Sequence, residues 1–329
     1  MISRRLILPA AILLVLSAAC AGEKPAAPTA AAGASKVRLG FSAWPGWFPW
    51  QVAEEQGLFA KNGIDVELKY FDSYTDSLNA LATGNIDANS QTLNDTLASA
   101  AGGAKETVVL VNDNSTGNDQ IIARDGIKSL ADLKGGTVAA EQGTVDHYLL
   151  LLALRKAGLT EADVTFQPLP TDAAAAAFVA GRVDAVGVFA PFTTTALKRP
   201  GSTTIASSAD FPGAIPDHLV VSRDMIGRDA KSVQALVTTW FDTLAWIGQN
   251  RQKAMEIMAR RAGVSVAEYQ TYDKGTTIFT LEQNRAAFAD DLPARAEQIS
   301  DFLLSSKLVD TAPSLEGLLE PRFVQAVQP

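Results

Sequence analysis

The sequence of 329 residues has one cysteine, Cys20, and two histidines, His147 and His218. One thiol cannot close an internal disulfide, and two imidazoles give no credible transition-metal set. Basic residues are missing from two long stretches: no Lys or Arg occurs in residues 70–104 or 135–154. There is no G-x-S-x-G elbow, no P-loop and no dinucleotide fingerprint, so catalysis has little support. Outside the first 19 residues, no apolar run is long enough to cross a membrane. The formal charge of −8 argues against nucleic acid and anionic membrane surfaces as partners.

The N-terminus does carry a pattern. Arg4 and Arg5 precede an apolar run over residues 6–16, and Ser17-Ala18-Ala19 forms a small-residue cleavage site. This predicts a secretory signal over residues 1–19. Cys20 follows directly, and the segment resembles a bacterial lipobox, which implies acylation of that thiol. The alternative is an unpaired thiol in a cleaved peptide. Acyl chains contribute about 0.8 kcal/mol per buried methylene, so several would hold the protein at a membrane. Residues 20–35 are rich in Ala and Pro and read as a tether. Removing residues 1–19 takes the charge from −8 to −10, because only Arg4 and Arg5 are charged there.

The body of the chain contains one motif twice. Residues 79–88 read NALATGNIDA and residues 176–185 read AAFVAGRVDA. Each predicts a helix end, a glycine able to take positive φ (Gly84, Gly181) and a short strand. The aspartates Asp87 and Asp184 are expected to serve the turn and strand geometry. Asn89-Ser90-Gln91-Thr92 and Phe189-Ala190-Pro191-Phe192 are expected as the loops that follow. Predicted strands at 37–42, 65–71, 107–112, 120–123, 137–140, 164–169 and 218–222 alternate with helices, which points to βαβ units. The expected fold class is α/β, with two lobes, each a mainly parallel sheet flanked by helices, and a ligand cleft between them. Lobe 1 is predicted to comprise residues 36–117 with 218–329, and lobe 2 residues 118–217. Ser265 and Glu268 have the spacing of a capping box.

Several segments together resemble a known family: Ala53-Glu54-Glu55-Gln56-Gly57-Leu58-Phe59, Gly63-Ile64-Asp65-Val66, the two Gly-x-[Ile/Val]-Asp-Ala copies, and Ser129-Leu130-Ala131-Asp132-Leu133-Lys134-Gly135. The chain resembles the substrate-binding proteins of ABC importers in the nitrate, sulfonate, taurine and thiamine-pyrimidine group. That resemblance implies the type II periplasmic-binding-protein fold. It also implies an ABC permease and ATPase as partners, with a monomeric receptor in the periplasm or on the outer face of the cytoplasmic membrane. Trp44-Pro45-Gly46-Trp47, Asn112-Asp113-Asn114-Ser115, Gly117-Asn118-Asp119 and Thr144-Val145-Asp146-His147 resemble the subgroup associated with urea or guanidine carboxylase systems. That subgroup implies a small nitrogen-rich solute. An enzyme on the same scaffold, a thiamine-pyrimidine synthase, would need a cysteine-rich motif and a pyridoxal-phosphate lysine, and this chain has only Cys20. No cofactor or metal is expected.

In an open α/β sheet, ligands sit beyond the carboxyl ends of the strands. The loops expected there contain Asp, Trp, Tyr and Phe but no Lys or Arg. Carboxylates and rings suit a planar cation, an amine or a neutral amide such as urea. Helix N-termini can bind anions without any basic side chain, which keeps taurine, an aliphatic sulfonate or nitrate as the alternative. The expected ligand contacts are Trp44, Trp47, Tyr74, Gln91, Asn94, Asp95, Asp146 and Phe189. Trp44 and Phe189 would supply faces, Asp95 and Asp146 charge, and Gln91 and Asn94 amide hydrogen bonds. Asp95 and Asp146 could instead be helix caps.

Overall fold

Short β-branched or aromatic runs separated by helices build eleven strands. They are β1 Val37–Phe41, β2 Val66–Tyr70, β3 Ala88–Thr92, β4 Glu106–Ser115, β5 Asp119–Ala123, β6 Thr137–Ala140, β7 Thr165–Pro168, β8 Ala185–Phe189, β9 Thr203–Ser207, β10 Pro216–Ser222 and β11 Thr276–Ile278. The computed structural model describes residues 36–328; the signal segment, Cys20 and the tether lie outside the described residues.

The strands form two sheets, ordered β11-β4-β10-β3-β1-β2 and β7-β6-β8-β5-β9. The sheets share one design. In the first, β2, β1 and β3 run parallel, and β10 lies antiparallel between β3 and β4. In the second, β7, β6 and β8 run parallel, and β5 lies antiparallel between β8 and β9. The antiparallel strand of each sheet arrives from the other sheet, since β5 follows β4 and β10 follows β9. The two crossings touch: Ser115 N–H donates to Ile215 O at 2.9 Å and Gly117 N–H donates to Ser208 Oγ at 2.7 Å.

The two motif copies form the same corner in each sheet. Gly84 and Gly181 have φ of +75° and +74°, so each sits where a Cβ would be strained. Asp87 accepts the backbone N–H of Arg38 at 3.0 Å and its guanidinium at 2.9 Å, and also pairs with Arg228. Asp184 likewise accepts Thr137 N–H at 2.9 Å and the Arg124 guanidinium at 2.6 Å. Both aspartates therefore tie a strand to the sheet, as the sequence suggested. The loop expectation for Asn89-Ser90-Gln91-Thr92 is corrected: these residues are β3 itself, buried throughout. Their polar side chains are tolerated there because they bond one another and their neighbours. Asn89 donates to Gln91 and Ser77, and Ser90 meets Trp50 and Asn112.

A large apolar core lies under the first sheet, where Trp50 stacks on Phe59 and meets Trp240 at 4.7 Å between centroids. Trp240 comes from the helix Arg223–Gln249, whose spacing of Val233, Val237 and Trp240 turns one stripe inward. Ser265 and Glu268 form the reciprocal capping box that their spacing predicted. Among the described residues, no helix is long and apolar enough to cross a membrane.

Candidate functional site

The strand ends of both sheets converge on one cavity. It has an empty volume of about 220 Å³ and is lined by Trp44, Trp47, Tyr74, Thr92, Asp119, Val145, Phe189, Ile215 and Asp217. Its free space is about that of one water molecule, so a ligand of several heavy atoms needs the walls to move.

Four of these residues make a closed ring of aromatic side chains. Trp44 and Trp47 sit on the turn after β1, held by Trp47 N–H to Trp44 O at 3.0 Å and by Tyr269 hydroxyl to Pro45 O at 2.9 Å. Tyr74 opens the helix Tyr74–Ala82 and Phe189 ends β8. Centroid distances run 6.4 Å from Trp44 to Trp47, 5.5 Å from Trp47 to Tyr74, 6.1 Å from Tyr74 to Phe189 and 6.2 Å from Phe189 to Trp44. Phe189 meets Trp44 and Tyr74 edge to face, and Trp47 is tilted against Trp44 and Tyr74.

Carboxylates form the other wall. Asp217 pairs in register with Thr92 of β3 and with Asp113 of β4, and Asp119 pairs with Phe189 of β8. Asp119 and Asp217 are 2% and 1% exposed; Ser115 bonds the Asp119 carboxyl and Asp113 that of Asp217, and no further donor reaches the Oδ2 atom of either. Asp113, fully buried behind them, accepts the Trp44 indole N–H at 2.9 Å and leaves its own Oδ2 unpaired. Gly46 is required by this approach, since a Cβ there would lie 2.0 Å from Asp113 Oδ2. Burial pushes Asp119 up to about 7, with Ser115 opposing. Burial and mutual repulsion raise Asp217 far above the carboxylate range, and burial raises its partner Asp113 as well. None of the lining residues is Lys or Arg. The Trp47 indole N–H is also buried without an acceptor.

The lobes meet around this cavity. Val145 N–H, at the start of helix Val145–Lys156 in the second lobe, donates to Asp95 Oδ2 in the first at 3.3 Å. Thr75 donates its hydroxyl to Glu141, and Thr194 meets the Tyr272 hydroxyl at 2.7 Å. The structure is thus that of a closed cleft.

Of the residues singled out from sequence, Trp44, Trp47, Tyr74 and Phe189 line the cavity. Gln91, Asn94, Asp95 and Asp146 do not; each has a partner elsewhere, and Asn94 Oδ1 and Asp146 Oδ1 stay unpaired. Gln91 donates to Thr96 and Glu106, both at 3.0 Å, inside the first lobe. Asn94 donates to Asp95 at 2.9 Å. Asp95 accepts the Thr92 hydroxyl at 2.7 Å, and burial raises it to about 7. Asp146 lies 2.6 Å from the Thr171 hydroxyl. Asp119 and Asp217 were passed over, although each stands at a predicted lobe crossing, which is where a cleft wall must be. His147 sits on the Phe166 ring and 2.8 Å from Glu161, away from the cavity. His218 is fully buried with both ring nitrogens unpaired, and burial holds it neutral, down to about 3. Among the described residues, no three acidic, His or Cys side chains are grouped to hold a metal ion.

Two sheets with exchanged strands around one cleft define a two-lobed α/β fold, which binding proteins of ABC importers share. The chain belongs to the NMT1-like family, whose model matches residues 30–262. It is similar to a protein of Brucella abortus (strain 2308) described only as a binding protein, with 28% identity over 253 residues, 75% of this chain and 78% of the relative. It is also similar to the taurine-binding periplasmic protein of Escherichia coli (strain K12), with 25% identity over 289 residues, 84% of this chain and 89% of the relative. The alkanesulfonate-binding protein SsuA from Xanthomonas axonopodis pv. citri, solved with MOPS, has the same fold. It superposes with a TM-score of 0.73 at 21% identity, over 90% of this chain and all of that one. These relatives are binding proteins.

Proposed function

We propose that this protein is the extracytoplasmic receptor of an ABC importer and that its ligand is a small planar nitrogen cation, guanidinium first. One observation carries the reading. A closed ring of four aromatic side chains faces two buried carboxylates whose Oδ2 atoms have no partner, with no Lys or Arg on the wall. An unpaired buried carboxylate is strongly unfavourable, and a guanidinium would supply in-plane N–H donors to it and a face to the rings. A sulfonate group offers only acceptor oxygens, and none of the in-plane N–H donors of a guanidinium. Closure of the lobes around the cation would then be stabilised by its own contacts, and the closed form presented to a permease. Trp44, Trp47, Tyr74, Phe189, Asp119 and Asp217 are the proposed contacts, with Asp95 and Asp146 supporting the closed form. Anchoring through Cys20 and action as a monomer belong to the same proposal.

The unpaired Trp47 N–H favours one second reading, urea, whose carbonyl would accept that proton while its amides meet the carboxylates. Thermal shift and calorimetry with guanidinium, urea, taurine, nitrate and an alkylsulfonate separate these. Stabilisation by guanidinium or urea alone is expected, and a response confined to taurine, sulfonate or nitrate would overturn the reading.

A further inference from the structure

We propose that the cleft is a proton–cation exchange site: in the closed, unliganded protein Asp119 and the facing pair Asp113 and Asp217 retain protons, and an entering monovalent cation displaces one of them. This rests on the cation reading above and adds how occupancy is controlled.

The geometry requires protons here. Asp113 and Asp217 oppose each other in register across β4 and β10, and both are at most 1% exposed. The strongest electrostatic neighbours of Asp217 are Asp113 from β4, Asp119 from β5 and Asp95 from the helix Leu93–Ala101. Those of Asp146 are Glu141, Asp119 and Asp95. The Tyr74 phenol, which faces Asp95 and Asp217, is neutral, its ionisation pushed up by burial. The Trp44 N–H meets Asp113 but is itself uncharged. Carboxylates so placed, with no cation to offset them, cannot all be ionised in a desolvated space.

A second count points the same way. The Thr171 hydroxyl lies 2.7 Å from Glu141 Oε2 and 2.6 Å from Asp146 Oδ2. A hydroxyl carries one proton, so it can donate to only one of them. The other contact needs a proton on a carboxyl group, and burial favours Asp146 as its holder. One carboxyl of the Glu141–Asp146 pair beside the cleft therefore holds a proton by hydrogen-bond count alone. A bound cation changes the sign of the local field and lets one of the cleft carboxyl groups ionise. Each proton released gives the affinity about a tenfold dependence per pH unit.

The test is calorimetry of the whole protein with sub-millimolar guanidinium chloride at pH 7, in phosphate and in Tris at matched ionic strength. The expected result is an apparent enthalpy that differs between buffers by about one buffer protonation per ligand. The dissociation constant should also weaken about tenfold from pH 7.5 to 6.5. Equal enthalpies and a pH-independent constant would overturn the exchange and leave the cation reading standing. No heat in either buffer would remove the cation reading, and the exchange with it. Asp217→Asn, whose amide stands in for the protonated acid, should release fewer protons than the natural chain. Asp119→Asn serves as the second variant should Asp217→Asn fold poorly. An unchanged proton count in either folded variant would overturn the assignment to that aspartate.

Discussion

The indole N–H of Trp44 donates to Asp113 Oδ1 over 2.9 Å, across 69 residues of chain. This bond joins the two walls of the cavity. It fixes the edge of an aromatic ring and takes up one oxygen of a buried carboxyl group. The other oxygen is left unpaired beside Asp217.

Trp44→Phe keeps a ring in the cage and deletes the donor. Removing one partner of a buried hydrogen bond costs about 1–3 kcal/mol. Guanidinium affinity should fall roughly tenfold, by the 1.4 kcal/mol equivalence of each decade. Trp44→Ala, which also opens the cage, should lose clearly more. Denaturant titration and calorimetry on both variants check this, and equal losses would mean that the ring face contributes nothing.

Gly46→Ala tests the approach of the Trp44–Trp47 turn to Asp113. The added methyl would meet Asp113 Oδ2 at 2.0 Å and Cγ at 2.3 Å, so one side must move. Overpacking of this kind costs about 1–3 kcal/mol. A lowered denaturation midpoint together with weaker ligand binding is expected.

Thr75→Val removes a hydroxyl that reaches from the first lobe to Glu141 in the second. The bond lies only partly buried and outside the apolar core, so stability to unfolding should change by less than about 0.5 kcal/mol. The closed form loses one interlobe contact to a charged group, and ligand affinity should drop on the order of tenfold. Small-angle scattering of the unliganded variant should show a larger radius of gyration than the natural chain.

The pH dependence has a definite sign. Asp95 and Asp119 are raised from 3.8 to about 7, so the folded, closed state binds more protons than the unfolded one between those values. The stability they contribute is full below pH 4 and is lost as pH rises through about 7. Asp87 is lowered to about 2; burial works against this, and the bonds from Arg38 and Arg228 outweigh it. Its contribution is present above pH 4 and lost as pH falls through about 2. The unliganded melting temperature should therefore peak near pH 4–5 and decline toward pH 8, and guanidinium should flatten the decline. A melting temperature that rises steadily from pH 5 to 8 without ligand would contradict this.

Much of the scaffold could be read locally. Gly84 and Gly181 end helices in the only conformation that fits the turn, and the Asp87 and Asp184 carboxylates bond the strand beside them. A repeat of this kind leaves its mark in adjacent residues. The aromatic cage was legible for a similar reason, because Trp44, Trp47, Tyr74 and Phe189 all stand at or just beyond strand ends. β3 was harder. Its polar run Asn89 to Thr92 looks like a loop until the partners that satisfy it, Trp50, Ser77 and Glu106, are in place.

The sequence alone determined that two similar α/β units enclose a cleft bounded by rings and carboxylates, because helix ends, strand periods and missing basic residues are local facts. Only the tertiary structure decided which carboxylates face the cavity. Asp95 is taken up by Thr92 and Val145 and Asp146 by Thr171; Asp146 Oδ1 stays unpaired like the Oδ2 atoms of Asp119 and Asp217, but of these only Asp119 and Asp217 stand on the cavity wall. That choice depends on strand register and lobe closure, which bring together residues 44 and 113, 119 and 189, and 95 and 145. No window along the chain contains both members of such a pair, so no local pattern could assign the hydrogen bonds that decide it.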